Sequence, residues 1–220
     1  MLGVVAGACV GYLIQADREP TALPPLSQPS IAQAKGAGPE PLSAAQDRQV
    51  KAEGDLRKLL LKKPRGGRAG LYTAGSDGWM SLADYAETYD KPASGFADLV
   101  AGEFRRAAVT NWREGGTYSV EVRLIQYRQE ETRGAADAAD GGYYWADEDA
   151  DTDSWPIPGT GDGMAYVHNK PDSKPGYVDL YSAEAHAWRG DIAMEIWVYD
   201  TKPVPKAKIM DLAKRQMERL

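Results

Sequence analysis

Apolar and polar residues alternate in the middle of the chain, along the stretch TYSVEVRLIQY. One side of this alternation carries Tyr118, Val120, Val122 and Leu124, and the other carries Ser119, Glu121 and Arg123. A period of two places successive side chains on opposite faces of an extended strand. The pattern therefore predicts a β-strand with one apolar face and one polar face.

A second alternating stretch, YVDLYSAEAHAWRGDIAMEIWVYD, predicts a β-hairpin that turns at Arg189-Gly190. A two-residue loop at that position would pair Ala187 with Ile192 and Ala185 with Met194. Small residues would then lie opposite large apolar ones on the side that faces the core. Sliding the pairing by one residue would break this apolar pattern, so we favour the first register.

The other side of the same hairpin is polar and holds the candidate site. It carries His186 and Trp197, and the predicted register places Glu184 directly across from Glu195. Like charges in a direct cross-strand pair are unfavourable. We therefore expect Arg123, on the polar face of the first strand, to lie near the two carboxylates.

Helical patterns surround these strands. They predict a short helix after Asp55, a capping box at Ser81 to Asp84, a helix from Ser94 toward Trp112, a weak helix in EETRGAADAAD and a last helix from about Val204 to Leu220. GMAYVH reads as a short strand, and YYWADEDADTDSWPIPGTGDG as a long loop. The fold class predicted is α+β: an antiparallel β-sheet flanked by helices, with a C-terminal helix, preceded by an N-terminal apolar anchor and a disordered stalk.

Residues 1–15, MLGVVAGACVGYLIQ, are almost all apolar. As a helix they would be roughly 22 Å long, against about 30 Å of membrane hydrocarbon. Three interpretations stay open: a signal anchor whose basic flank lies upstream, a lipoprotein signal in which Cys9 is acylated, and a buried N-terminal helix. We favour the anchor.

Residues 16–54 are rich in Pro, Ala and Gly and have no helical or strand period, which is typical of a linker. Residues 55–220 are then expected to form one globular α+β domain. An apolar segment, a long linker and a globular domain, in that order, predict a domain held at a distance from a membrane.

Charge and cysteine content narrow the function classes. The formal net charge is −6, so a general nucleic-acid binder is disfavoured. The one Cys, Cys9, lies in the apolar segment, so the globular part has no disulfide, no thiolate metal site and no Cys nucleophile. Eight Lys and Arg lie between Arg48 and Arg68, and nine Asp and Glu lie between Glu130 and Asp153.

The candidate ligand-binding residues are those of the polar face: Arg123, Glu184, His186, Glu195 and Trp197. Charged and aromatic groups on one face suit a ligand-binding or acid–base cluster. The simpler interpretation is a solvated face, or a polar contact beneath a covering helix.

Other chemistry finds little support in the sequence. The acidic run from Asp147 to Asp153 lacks the Gly and Glu positions of a calcium-binding EF-hand loop, so no metal site is expected. No cofactor motif and no common serine-hydrolase signature occurs. A hydrolase that uses a carboxylate pair has no local motif, and it stays an alternative.

Three stretches, EPTALPPLSQP, GDLRKLLLKKP and GDIAMEIWVYDTKPVPKAKIMDLAKRQMERL, resemble actinobacterial membrane-anchored extracytoplasmic proteins of unknown function. More remotely, the order of elements around FRRAAVTNW, the VEVRL strand and the GD hairpin is similar to PknH-type extracellular sensor domains and LpqN-like lipoproteins. The resemblance implies a PsbP-like layout and a non-enzymatic binding or sensing role.

The function predicted is a membrane-tethered extracytoplasmic binding or sensor-like module, not an enzyme, with a single N-terminal anchor in the cell membrane. The partners expected are the membrane, through residues 1–15, and an envelope protein or a small-molecule ligand. Two alternatives stay open: a carboxylate-dependent hydrolase acting on envelope glycans, and a structural subunit of an envelope assembly.

Overall fold

The computed structural model describes residues 54–70, 75–129 and 131–220. The predicted anchor, the linker up to residue 53 and Cys9 lie outside the described residues. Among the residues that are described, no helix is both long enough and apolar enough to span a bilayer.

An antiparallel β-sheet forms the centre of the structure, as predicted. Its strands are β1 (Arg68–Ala69), β2 (Trp79–Met80), β3 (Phe104–Glu114), β4 (Tyr118–Tyr127), β5 (Thr152–Pro156), β6 (Met164–Asp172), β7 (Leu180–Arg189) and β8 (Ile192–Asp200). The order across the sheet is β1-β3-β4-β8-β7-β6-β5, and β2 also pairs with β3. The two strands richest in candidate site residues, β7 and β8, therefore lie near the middle of the sheet.

Helices cover both faces of this sheet. They are α1 (Leu82–Ala86), α2 (Pro92–Ala101), α3 (Gly134–Glu148) and α4 (Lys206–Met217), and a short 3-10 turn spans Leu56–Lys58. Ser81 opens α1 with a capping box, as the sequence predicts. Asp55 is an N-cap as predicted, but it caps a 3-10 turn that ends at Lys58, and not a helix that continues to Pro64. The fold is α+β.

The helix α4 packs on what we call the apolar face of the sheet. Its buried residues are those of the predicted stripe, Ile209, Leu212, Ala213, Gln216 and Met217. They meet the Ala residues of β7, of which Ala183, Ala185 and Ala187 are fully buried. Because Ala has so small a side chain, the helix lies close to this strand.

The segment that follows the linker docks on α4. Leu56, Leu60 and Leu61 are buried in the core of the apolar face. The side chain of Gln216 accepts a hydrogen bond from the backbone N–H of Leu61 (2.9 Å) and donates one to the carbonyl of Leu59 (2.9 Å). The docked leucine segment leaves its Lys and Arg side chains exposed.

Two segments differ from the prediction. FRRAAVTNW forms the strand β3 instead of continuing a helix from Ser94, since α2 ends at Ala101 and Glu103 has a positive φ of 63°. Val109, Thr110 and Trp112 are residues that favour strands, and β3 pairs with β4 along its length. The predicted loop 143–163 in fact contains the end of α3 and the strand β5, which gains its backbone partners from β6.

The hairpin turns one residue later than predicted, at Gly190-Asp191, and its pairing is shifted by two residues. Gly190 has φ +59°, a conformation that glycine adopts easily and arginine does not. A shift of two keeps every side chain on its predicted face. Glu184 nevertheless lies across from Trp197, and not from Glu195.

Candidate functional site

Rows of side chains cross the second face of the sheet, which we call the polar face. One row runs Arg123, Glu195, His186, and the next runs Glu121, Trp197, Glu184, Tyr166. A third row runs Ser119, Tyr199, Ser182, His168. All five predicted site residues therefore lie within two adjacent rows.

Two histidines hold one carboxylate in a cluster that we call the buried triad: His168, Glu184 and His186. His168 Nε2 lies 2.8 Å from Glu184 Oε1, and His186 Nε2 lies 2.6 Å from Glu184 Oε2. No member of the triad is more than 6% exposed. Burial alone would raise the pKa of Glu184, but the hydrogen bonds with His168 and His186 outweigh it and lower that pKa.

The helix α3 covers the buried triad. At Gly142 the helix comes so close to the ring of His186 that a Cβ would collide with the imidazole. Trp197 closes another side, with its ring edge-on to His186 at 5.5 Å between centroids. The second nitrogen of His168, Nδ1, lies 2.8 Å from Thr152 Oγ1. The triad is therefore enclosed, and both oxygens of Glu184 are held by histidines.

Arg123 holds two carboxylates at the other end of the same rows. Its Nε donates to Glu121 Oε1 (2.6 Å), and its Nη1 lies 3.3 Å from Glu195 Oε2. Tyr85, from α1, donates its hydroxyl to Glu195 Oε1 (2.5 Å). Burial raises the pKa of Tyr85, and the charge of Glu195 raises it further, so this hydroxyl stays a donor.

This second cluster is partly open to solvent, unlike the triad. The side chains of Arg123 and Glu195 are each 14% exposed and that of Glu121 is 18% exposed. Trp197 and Tyr199 on β8 are also partly exposed. We call these five residues, Glu121, Arg123, Glu195, Trp197 and Tyr199, the open corner of the polar face.

The structure thus separates the predicted site into two parts. It brings Arg123 and Glu195 together as an ion pair, and it brings Glu184 and His186 together beneath α3. Glu184 and Glu195 are not cross-strand partners: Glu184 lies across from Trp197, and Glu195 lies across from His186. A shared carboxylate pair is therefore not formed by these two residues.

Four residues of these clusters were not among the predicted site residues: His168, Glu121, Tyr85 and Tyr199. Glu121 precedes Arg123 by two positions on the same strand, so the alternation of that strand places it on the polar face. His168 lies in the predicted strand GMAYVH, but nothing in the sequence shows which strand pairs with it. Tyr85 reaches Glu195 from a helix 110 residues away, and no local pattern predicts that contact.

The acidic run from Asp147 to Asp153 forms no metal centre with its surroundings. Within residues 54–70, 75–129 and 131–220, no group of three or more His, Cys, Asp or Glu side chains is arranged to hold a metal ion. Asp149 instead lies 3.6 Å from His168 Nδ1, at the point where α3 leads into β5.

Comparison with known proteins leaves the family open. No family model matches the chain, and no curated protein matches it. A solved structure with a similar fold is the extracellular domain of PknH from Mycobacterium tuberculosis. It is 11% identical, covers 78% of this chain and 98% of its own, and superimposes with a TM-score of 0.49. The resemblance to actinobacterial membrane-anchored proteins stays a prediction.

Proposed function

We propose that this chain is a membrane-tethered, extracytoplasmic binding module of a sensor-like kind, and that it takes its ligand at the open corner of the polar face. The observation that carries the proposal is the partial exposure of the Arg123–Glu195 ion pair and of Glu121, beside the triad that α3 covers. The tether is supported by the apolar residues 1–15 and the linker composition of residues 16–54.

The chemistry of the open corner favours a hydroxyl-rich ligand such as an oligosaccharide. Glu121 and Glu195 offer carboxylate oxygens as acceptors, and Arg123 offers guanidinium donors. Trp197 and Tyr199 lie beside them in the rows and present aromatic surface, on which the apolar side of a sugar ring can pack. With two carboxylates to one guanidinium, the corner is also a poor site for an anion.

The rim of the corner supports the same proposal. Thr88 lies just beyond the end of α1, and its Oγ1 is 3.3 Å from Arg123 Nη1. Its neighbour Tyr89 is 40% exposed and packs edge-to-face against Tyr85 at 5.6 Å. An aromatic side chain is thus available at the edge of the polar cluster, where a bound molecule would contact it.

The geometry favours binding over hydrolysis of the same ligand. A carboxylate-pair hydrolase needs one carboxylic acid that stays protonated, with a raised pKa. The pKa of Glu184 is lowered, and α3 covers it. Glu195 accepts a hydrogen bond from Tyr85 and forms an ion pair with Arg123, so both of its carboxylate oxygens are engaged. Neither residue has the environment of a general acid.

The test is a calorimetric titration of the full chain, in detergent micelles, with a tetrasaccharide of N-acetylglucosamine. We expect binding, and we expect Glu121→Gln to weaken it by about tenfold or more, as for a lost hydrogen bond to a charged group. Glu131→Gln, a change of the same type at an exposed residue outside the corner, should leave it unchanged. Equal effects of both changes would contradict the proposed site, and release of shorter sugars would favour the hydrolase.

A further inference from the structure

The fold gathers positive charge on one side of an acidic protein. Residues 55–68 contain six Lys and Arg and one acid, and residues 201–220 contain six Lys and Arg and two acids. The whole chain has a formal net charge of −6. These two basic segments stand at opposite ends of the domain in sequence, so their combination is visible only in the folded structure.

Direct contacts join the two basic segments. The side chain of Gln216 bonds to the backbone of Leu59 and Leu61, as described above. Arg219 donates from Nε to the carbonyl of Leu59 (2.8 Å) and from Nη2 to that of Lys58 (2.6 Å). The leucine segment and α4 therefore form one layer on the apolar face of the sheet.

The lysines of this layer are exposed. Six of them define what we call the basic surface: Lys58, Lys62, Lys63, Lys206, Lys208 and Lys214. Lys62 and Lys208 line the same cleft, of about 140 Å³, between the segment after Leu61 and α4. Lys206 and Lys208 lie over the rings of Trp155 and Tyr118, which hold both ammonium groups on this side of the sheet.

The acids within the layer are few and mostly engaged. Asp55 pairs with Arg57 at 2.9 Å, and Asp211 pairs with Arg215 at 2.9 Å. Glu114 and Asp211 line the same cleft as Lys62 and Lys208, but across the two basic segments Lys and Arg outnumber Asp and Glu by twelve to three. A surface of this kind attracts a flat, negatively charged partner.

We infer that the basic surface lies on the anionic lipid headgroups of the membrane that carries the tether. The choice of lipid as the partner rests on the proposed tethering, which holds the domain beside a bilayer. The chain enters the domain at Gly54, directly before the leucine segment of this same layer. The sheet then separates the lipid surface from the open corner, which faces away from the membrane.

The strength of this contact follows from the number of lysines. Each Lys or Arg near an anionic bilayer raises the partition coefficient by about fivefold at moderate salt. Because the potential decays within about 8 Å at physiological ionic strength, only side chains close to the surface contribute. The contact is therefore expected to weaken steeply as salt is added.

The experiment measures how the full chain partitions onto two kinds of vesicle: pure phosphatidylcholine, and equal parts phosphatidylcholine and phosphatidylglycerol. The ratio of the two partition coefficients isolates the electrostatic contact, because an apolar anchor enters both bilayers. Lys62→Glu with Lys214→Glu should lower this ratio by about tenfold or more. Lys91→Glu with Lys170→Glu makes the same change in net charge at exposed residues outside the basic surface, and should change the ratio much less.

The outcomes separate this inference from the proposed function. If the two double variants lower the ratio equally, net charge alone is responsible and the inference is overturned. It is also overturned if dextran sulfate, a soluble polyanion, binds through Lys62 and Lys214 while anionic vesicles do not. Absence of partition into pure phosphatidylcholine contradicts the anchor, and the partition coefficient onto the anionic vesicles alone then serves to compare the variants. The titration with the tetrasaccharide tests the open corner, which lies on the opposite face of the sheet, so its result is independent of the vesicle experiment. The milder pair Lys62→Gln with Lys214→Gln gives the same comparison should the Glu variants fold poorly.

Discussion

Gly142 of α3 packs directly against the imidazole of His186, so closely that a Cβ at residue 142 would lie 2.5 Å from Nδ1 and 2.6 Å from Cγ of the ring. A Cβ added at the neighbouring Gly141 would have no other atom within 4 Å. Glycine lowers the stability of a helix interior, so a glycine retained there needs a packing reason. At residue 142 the reason is the buried triad beneath it.

Gly142→Ala is therefore expected to destabilise the fold by about 1–3 kcal/mol, the usual cost of overpacking a filled core. Gly141→Ala, on the same helix, should be neutral or stabilising by up to about 1 kcal/mol, because alanine is the better helix former. Urea unfolding of the two variants measures both changes. Similar effects at the two positions would show that α3 does not seat on His186.

Glu184→Gln should remove a pH dependence from the stability. The pKa of Glu184 in the fold lies below the ordinary value of 4.5. Its ionised form therefore contributes stability above pH 4.5, and that contribution is lost as the pH falls through the lowered pKa. The free energy of unfolding of the native protein should fall more steeply below pH 4.5 than that of the variant.

The matched control for this titration is Glu131→Gln, which alters an exposed carboxylate. It should leave the pH profile of the unfolding free energy close to that of the native protein. A Glu184→Gln variant with the native profile would mean that the two histidines do not hold the carboxylate in its charged form.

Tyr85→Phe should cost about 1.5–3 kcal/mol, because it removes a buried hydrogen bond to the charged Glu195. Tyr144→Phe, at a ring that is 58% exposed, should change stability by less than about 0.5 kcal/mol. Thermal unfolding compares the two. Equal melting temperatures would contradict a stabilising contact between α1 and Glu195.

Gln216→Met should destabilise the protein by about 2–4 kcal/mol, because it keeps the side-chain size but leaves the Leu61 N–H and the Leu59 carbonyl without their partner. Lys214→Met, on the exposed side of α4, is the control and should be close to neutral. In hydrogen exchange, we expect the Leu61 amide to lose protection in the Gln216 variant alone. Retained protection would show that another group satisfies that amide.

The alternation of apolar and polar residues predicts much of the sheet, and the helical spacing of apolar residues predicts the last helix. The alternation around Val122 and the stripe from Ile209 to Met217 both follow from burial on one side, which is a local property. The facing of Arg123 and Glu195 could be predicted for the same reason. The register of the hairpin is harder to predict, because it depends on which residue of the turn takes a positive φ. Moving the turn by one residue changes the partner of each residue by two positions.

The remaining differences come from contacts distant in sequence. The strand β3 contains Ala107, Ala108 and Val109 in a row, all buried because both faces of the strand are covered there. Because consecutive residues are all apolar here, the alternation typical of a strand is absent, and the pattern predicts a helix instead. The buried triad depends on His168 reaching Glu184 from a neighbouring strand, and a single sequence carries no record of that pairing.

The bond between Gln216 and the leucine segment also decides how the domain responds to force. A pull applied to the chain on the N-terminal side of Gly54 first meets the bond from Arg106 of β3 to the Gly54 carbonyl (2.9 Å). Once that bond breaks, the load passes to Leu59 and Leu61, and through Gln216 it reaches α4 before the paired strands β7 and β8. Mechanical extension of this domain is expected to begin with detachment of the leucine segment from α4, while the pairing of β7 with β8 stays intact.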